Sequence, residues 1–448
     1  MSIFSFPINR REALREGFVS ATGILLGSRL GRADTTLPAP AAAKPAKAKA
    51  VIQIWMWGGP PHLDTFDPKP DAGNDYTGPL THPIETNVKG IRISELLPLL
   101  AKQADKYSIV RSLTHNVYAH ETASYTTQTG RISGGRDVFP SVGAVVSLFK
   151  GYNAGYKGMI PPYIVLTQPQ GRFSEAGFLG SKFRPFATGG DPNAQRFAVE
   201  GIVAPGITDD RQRERRDFLH QIDTLGHAMQ GDPQLQANAD VEKTAYELIL
   251  GDAGKVFDLS QEKDDLRDRY GRSTFGQSCL VARRLVEKGV PYITINYQGG
   301  WDTHKDNFPT MQRRGPEMDK GLASLLQDLH DRGLLESTIV WWTGEFGRKP
   351  KVDWEAPWNG GRNHWGGVFS ALLAGGGFKG GQVIGSSDAR GEEVKDRPVY
   401  PADLIGSVYT QLGIDSDGKL PHPQGLAAQV TPTAKDGLPL AGQLKEIM

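Results

Sequence analysis

Residues 51–57 (VIQIWMW) form an apolar run of strand length that stops at Gly58-Gly59-Pro60-Pro61. Such a run predicts a strand buried on both faces. Shorter runs at 107–110, 162–166, 292–296 and 338–342 predict further strands. Helical spacing predicts helices over 94–106, 120–129, 209–229, 239–250, 274–288 and 317–332. In the first of these, Leu96, Leu97, Leu99 and Leu100 share the apolar side. Segments 369–374 and 399–412 continue the alternation, which predicts a parallel sheet with right-handed crossovers. The expected fold class is α/β, with a mostly parallel central sheet and helices on both faces. Residues 168–208 are rich in Gly and Pro and show no period. Neither a repeat nor a strong linker interrupts 51–448, so one large domain is expected there.

The amino end reads differently. Asn9-Arg10-Arg11-Glu12-Ala13-Leu14-Arg15 resembles a twin-arginine export signal, with Ala13 in place of the usual aromatic. The apolar run at 17–27 is too short for a bilayer, which needs about 20 apolar residues. Gly31-Arg32-Ala33 offers small residues for cleavage, so 1–33 reads as a removable leader. Residues 34–50 are rich in Ala, Pro and Lys and read as a linker. The expected location is periplasmic or secreted, by a route that exports folded proteins and so suits one that loads a metal first.

Composition narrows the choice. The chain has 448 residues and a formal net charge of +1, which argues against a nucleic-acid partner. Apolar residues at 38% and charged residues at 23% suit a soluble globular protein, and nothing after the leader is apolar enough for a transmembrane segment. The single cysteine, Cys279, excludes an intramolecular disulfide and reads as a small buried residue.

In an open parallel sheet, ligands bind outside the carboxyl ends of the strands. There the chain places Gly58–Asp67, Gly299-Gly300-Trp301-Asp302-Thr303-His304, Thr343-Gly344-Glu345-Phe346-Gly347-Arg348 and, further on, Gly361-Arg362-Asn363-His364-Trp365. Asp64, Asp302, His304, Glu345, His364 and His62 are the candidate metal ligands. Mixed carboxylate and imidazole donors suit zinc, with manganese or iron as alternatives, better than calcium. Arg348 and Arg362 are candidates to hold an anionic group with bidentate donors. Each residue also has a plainer use: Asp64 and Asp302 in local turns, Glu345 with Arg348 as an ion pair, His364 as a loop histidine. Co-location at successive strand ends favours the shared site.

The runs GGPPHLDTFDPKP, VRSLTH with the following His120, GGWDTH, TGEFGR, GRNHW, GGGFKGGQVIGSSD and RPVYPADLIGSVYTQLGID resemble the bacterial family called domain of unknown function 1501, over roughly residues 50 to 415. That family is similar to the alkaline phosphatase and sulfatase superfamily. The resemblance therefore implies an alkaline phosphatase-like fold with metal ligands at strand ends. By the same resemblance, Asp302, His304 and His364 match one complete three-ligand set. Glu345 keeps one carboxylate of a second set, which would draw on Asp64 and on His62 or His120. Where the superfamily has a nucleophilic Ser, Thr or modified Cys before a Thr-Gly pair, the spacing from Thr129-Gly130 lands on His120. His120 is thus a candidate catalytic residue, as ligand, general base or nucleophile; His115 is a further candidate.

These readings give an exported metal-dependent hydrolase of phosphate or sulfate esters, acting on a small or polymeric anionic substrate. The missing hydroxyl nucleophile keeps open a non-catalytic binding or scaffold protein on a decayed enzyme fold. A third reading uses Asp302, His304 and His364 as a facial iron set for an oxidoreductase or lyase.

Overall fold

A computed structural model describes residues 45–169, 175–194, 197, 211, 214, 218, 254–298 and 300–448. The expected leader, most of the linker and, apart from single positions, the helices expected over 209–229 and 239–250 lie outside these residues. Eight strands form one sheet. In chain order they are β1 (Ala50–Trp55), β2 (Tyr107–Leu113), β3 (Tyr163–Leu166), β4 (Phe186–Ala187), β5 (Tyr292–Asn296), β6 (Thr338–Thr343), β7 (Phe369–Ala374) and β8 (Val383–Ile384). Across the sheet they run β8-β2-β7-β6-β1-β5-β3-β4. Every neighbouring pair is parallel except those of β7, which is antiparallel to β2 and β6.

The apolar run that opens the fold becomes a central strand. β1 pairs with β5 from Val51–Tyr292 to Trp55–Asn296 and with β6 from Ala50–Thr338 to Trp55–Thr343. All six of its residues are buried, as a strand covered on both faces requires.

Six helices longer than one turn stand among the described residues: α1 (His120–Thr129), α2 (Val142–Lys150), α3 (Asp264–Tyr270), α4 (Thr274–Glu287), α5 (Asn307–Asp331) and α6 (Pro401–Gln411). Ile52, Ile54, Ile293, Ile295, Val340 and Trp342 share a core with Cys279 and Leu280 of α4 and Leu322 and Leu326 of α5. Gln53 turns to the opposite face, where its side-chain amide bonds that of Gln128 on α1 at 3.3 Å. The sheet thus carries helices on both faces.

Four expectations need correction. The helix expected over 94–106 is one turn at Pro98–Ala101 and a 3₁₀ turn at Ala104–Lys106. Pro98 disfavours the helical conformation at Leu97, whose φ is −122°, and no helix can run through that point. The opposite happened in α5, which starts ten residues earlier than expected and passes through Pro316. Its apolar stripe (Phe308, Met311, Met318, Leu322) is continuous, and that burial outweighs the hydrogen bond lost at the proline. Segment 369–374 is a strand as expected, but β7 runs antiparallel because no helix lies between it and β6 to carry a crossover. The linker also ends sooner than residue 50: the Lys47 and Ala48 N–H groups donate to the Gln411 carbonyl, and Ala48 is buried.

Candidate metal centre

Parallel strands present their carboxyl ends on one rim of a sheet, and an antiparallel strand starts there. That rim gathers the chain after β1 (Gly58, Gly59), after β5 (Asp302, His304), after β6 (Glu345, Arg348), the start of α1 (His120) and the approach to β7 (His364). Two glycines make the gathering close. Gly58 has φ +112°, and a Cβ there would lie 2.4 Å from the Asp302 nitrogen. A Cβ at Gly361 would lie 1.8 Å from the His304 carbonyl oxygen. The segments carrying His304 and His364 therefore pass closer than any side chain permits. A two-residue ribbon, Gly347–Arg348 against His364–Trp365, sets His364 opposite Arg348.

Three imidazoles converge on one carboxylate. Asp302 Oδ1 lies 3.2 Å from His304 Nε2 and 3.2 Å from His364 Nε2; its Oδ2 lies 3.2 Å from His120 Nε2. The Nε2 atoms of His304 and His364 are 2.9 Å apart. The ligand atoms of His120, Asp302 and His364 all lie within 4.8 Å of one another. The other ring nitrogen of each histidine meets an oxygen. His120 Nδ1 is 2.6 Å from Glu345 Oε1, His304 Nδ1 is 2.8 Å from Asn363 Oδ1, and His364 Nδ1 is 2.6 Å from the Tyr118 carbonyl. The Asn363 amide is oriented by its own donation to Asp353 at 2.8 Å. Oxygen acceptors at Nδ1 place the proton there and leave the Nε2 lone pair for the shared point, the usual outer arrangement of metal-ligating histidines. With their Nδ1 protons on those oxygens, the Nε2 atoms of His304 and His364, 2.9 Å apart, would both turn lone pairs to the shared point, which a cation there would satisfy. His120, Asp302 and His364 are the donors close enough together to share one divalent cation, with His304 Nε2 beside His364 and Asp302, and the composition suits zinc, manganese or iron.

The electrostatics follow the contacts. Burial by itself would lower the His120 pKa, but its bonds to Asp302 and Glu345 outweigh that and raise it to about 9. Burial opposes ionisation of Asp302, yet bonds from His120 and His364 and the charge of Arg348 hold it well below the usual carboxylate range. His304 is lowered, chiefly by burial. Asp302 keeps 43% of its side chain exposed, so solvent reaches the cluster.

Several expected site residues are placed elsewhere. Glu345 is fully buried and does not join the converging atoms; its Oε1 takes the His120 ring proton and the Gly58 N–H at 2.9 Å. It is a positioning residue for His120. Asp64 is withdrawn altogether: Arg362 reaches both its oxygens, at 3.0 and 2.9 Å, and Asn307 donates to it at 2.7 Å. His62 is buried with Nε2 on the Gly391 carbonyl at 2.8 Å, and burial lowers its pKa. Neither arginine can grip a substrate. Arg348 is fully buried and donates to Asp302 and to the Gly58 and Gly59 carbonyls; Arg362 is fully buried against Asp64 and the Tyr76, Lys349 and Pro350 carbonyls. Both arginines build the loops that hold the ligands. His115 stands behind the cluster with Nε2 on the Glu345 carbonyl at 2.7 Å, and burial lowers its pKa to about 4. Cys279 is buried in the core, far from nucleophilic use. Asn363 orients His304, a role that nothing in its local run GRNHW marks. Phe346 stacks on His364 at 4.5 Å and Trp57 on His120 at 5.7 Å, contacts that likewise have no local signature.

Fold and site together define an α/β protein with a histidine–aspartate cluster at the carboxyl edge of a mostly parallel sheet. The family described as Protein of unknown function (DUF1501) matches residues 48–438, and the chain belongs to it. Solved structures that resemble it include the lipoteichoic acid synthase LtaP from Listeria monocytogenes, at 10% identity and a TM-score of 0.39, covering 89% of this chain and 78% of that one. Another is the zinc complex of the C-terminal periplasmic domain of EcEptC from Escherichia coli (11%, 0.34, 88% and 93%). A third is a protein in the alkaline phosphatase superfamily from Vibrio parahaemolyticus (12%, 0.35, 85% and 71%). Likeness at this level carries no argument about the chemistry of this chain. Comparison with curated proteins finds no match.

Proposed function

We propose that this protein is an exported, metal-dependent hydrolase of phosphate or sulfate esters on an alkaline phosphatase-like fold. The observation that carries the reading is the convergence of three Nε2 atoms on Asp302, each with its Nδ1 on an oxygen acceptor. A divalent cation bound there would supply Lewis-acid polarisation of a phosphoryl or sulfuryl oxygen. The chain's own residues do the rest. Asp302, His120 and His364 would hold the centre with His304 beside them, and Asn363 and the Tyr118 carbonyl orient the His304 and His364 imidazoles. Glu345 accepts the His120 proton at Nδ1, so that with a cation bound in place of the Nε2 proton the imidazole would present Nε2 to the metal. With a dication and neutral imidazoles, Arg348 leaves the group of Asp302, Glu345 and metal one net positive charge, which favours an anionic ester.

A second reading has its own support. Without a cation, a protonated His120 and Arg348 balance the charges of Asp302 and Glu345, and the network closes as a purely structural one. That is the arrangement of a binding or scaffold protein. Elemental analysis of protein purified without chelator separates the two. One equivalent of zinc, manganese or iron is expected; none, even after reloading with each ion, would establish the structural network.

Export rests on the twin-arginine resemblance of Arg10 and Arg11. Replacing both, Arg10→Lys with Arg11→Lys, is expected to leave the protein in the cytoplasm of its host on cell fractionation. Normal delivery to the periplasm would remove the leader from the proposal. Among the described residues no helix is long and apolar enough to cross a membrane.

A further inference from the structure

A cavity of about 440 Å³ lies at the carboxyl ends of β3 and β5, beside the start of α4. Its size is that of a small-molecule site, and strand ends are where open sheets of this kind bind ligands. None of His120, Asp302, His304 and His364 lines it, so it is a separate place from the cluster. Part of its wall is held in a costly conformation. Thr167 has φ +69°, a left-handed backbone that a β-branched residue adopts only where its surroundings impose it. Here the Thr167 N–H donates to the Thr188 hydroxyl at 3.0 Å, and the Thr167 hydroxyl donates to the Asn296 carbonyl at 3.3 Å.

Buried polar groups nearly always find a partner. Three residues of this wall each carry a buried polar atom that has none: Asn296 Oδ1, the Tyr297 hydroxyl and Arg314 Nε. Asn296 is 4% exposed, and its Nδ2 donates to the Gln168 and Pro169 carbonyls at 2.9 and 3.3 Å. Those two bonds fix which end of the amide is which and leave Oδ1 as an acceptor without a donor. Arg314 Nη1 donates to Glu317 at 2.9 Å, which orients the guanidinium and leaves Nε as a donor without an acceptor. The Tyr297 ring stacks on Phe275, with centroids 4.0 Å and planes 13° apart, and its hydroxyl stands beside Arg314 and Glu317 without completing a hydrogen bond to either. Burial and the charge of Glu317 raise its pKa, so it stays neutral.

We infer that this cavity is a second binding site, for a small molecule of no net charge that brings a hydrogen-bond donor to Asn296 Oδ1 and an acceptor to Arg314 Nε. Arg314 and Glu317 are the only charged residues in its lining among the described residues, and they pair with each other, so neither an anion nor a cation is favoured. A carboxamide and a polyol both carry the required donor and acceptor. Phe275 and Ile295 supply an apolar side to the same space. The inference stands apart from the hydrolase reading and needs no metal.

Ligand-observed saturation-transfer NMR on the full chain tests the site without turnover. Titration with N-acetylglycinamide, and separately with myo-inositol, is expected to show saturable binding in at least one arm, which names the ligand group. Arg314→Lys keeps a positive charge beside Glu317 but removes Nε, and is expected to weaken that binding about tenfold, the scale of one hydrogen bond from a charged donor. Asn296→Leu removes the acceptor and is expected to abolish it; should that variant fail to fold, Arg314→Lys decides. Inorganic phosphate, added in excess, is expected to leave the binding unchanged. Saturable binding of neither probe, undiminished binding in Arg314→Lys, or displacement by phosphate would overturn the inference.

Discussion

Asp302→Ala is expected to lower bound zinc, manganese or iron at least about tenfold, with thermal unfolding measured alongside to separate lost ligation from lost stability. Among the described residues Asp302 is the only carboxylate that all three imidazoles face, and it would neutralise part of a bound cation's charge. Its side chain is 43% exposed, so its removal opens no cavity in the core. It does leave Arg348 buried without its carboxylate, though the Gly58 and Gly59 carbonyls still accept from that guanidinium. His304→Ala is expected to act in the same direction. Competition with a chromophoric chelator would measure both affinities. Wild-type affinity in both variants would show that the cluster is not where the metal resides.

The second large effect concerns stability. Asp64→Ala is expected to destabilise the fold by about 3–5 kcal/mol, the range for breaking a fully buried ion pair from one side. Asp64 and Arg362 are 1% and 0% exposed. Without the carboxylate, Arg362 keeps its carbonyl partners but stays buried with its charge uncompensated, and Asn307 loses its acceptor. Because Arg362 precedes Asn363 and His364, the damage is expected to loosen the metal site as a consequence. The urea midpoint measures the first effect and separates it from ligation. A variant with unchanged stability and lost metal would return Asp64 to the ligand set.

The contrast between these two aspartates shows how far the chain could be read. Both follow a predicted strand, both sit near a histidine, and both suit a turn. Nothing local distinguishes them. What does is the set of partners each meets across the fold: three imidazole Nε2 atoms with Arg348 at Asp302, Arg362 and Asn307 at Asp64. The arginines show the same limit. A bidentate donor reads alike whether it faces a substrate or a loop carbonyl, and only burial tells which. Glu345 was expected as a metal ligand, whereas the rotamer that puts Oε1 on His120 sets it one bond from the converging atoms.

By itself the sequence determined the strands at 51–57, 292–296 and 338–342, helices α1 and α4, the α/β class and most of the residues at the rim. Those features follow from apolar periodicity and from glycine- and histidine-rich turns, which act over a few residues. The tertiary structure decided the direction of β7, the length of α5, and which carboxylates face the histidines. Those depend on contacts between segments hundreds of residues apart, such as Gly58 against Asp302 and Asp64 against Arg362. No local pattern carries them, because the free energy that selects each partner arises only when the sheet is assembled and the polar groups lose their water.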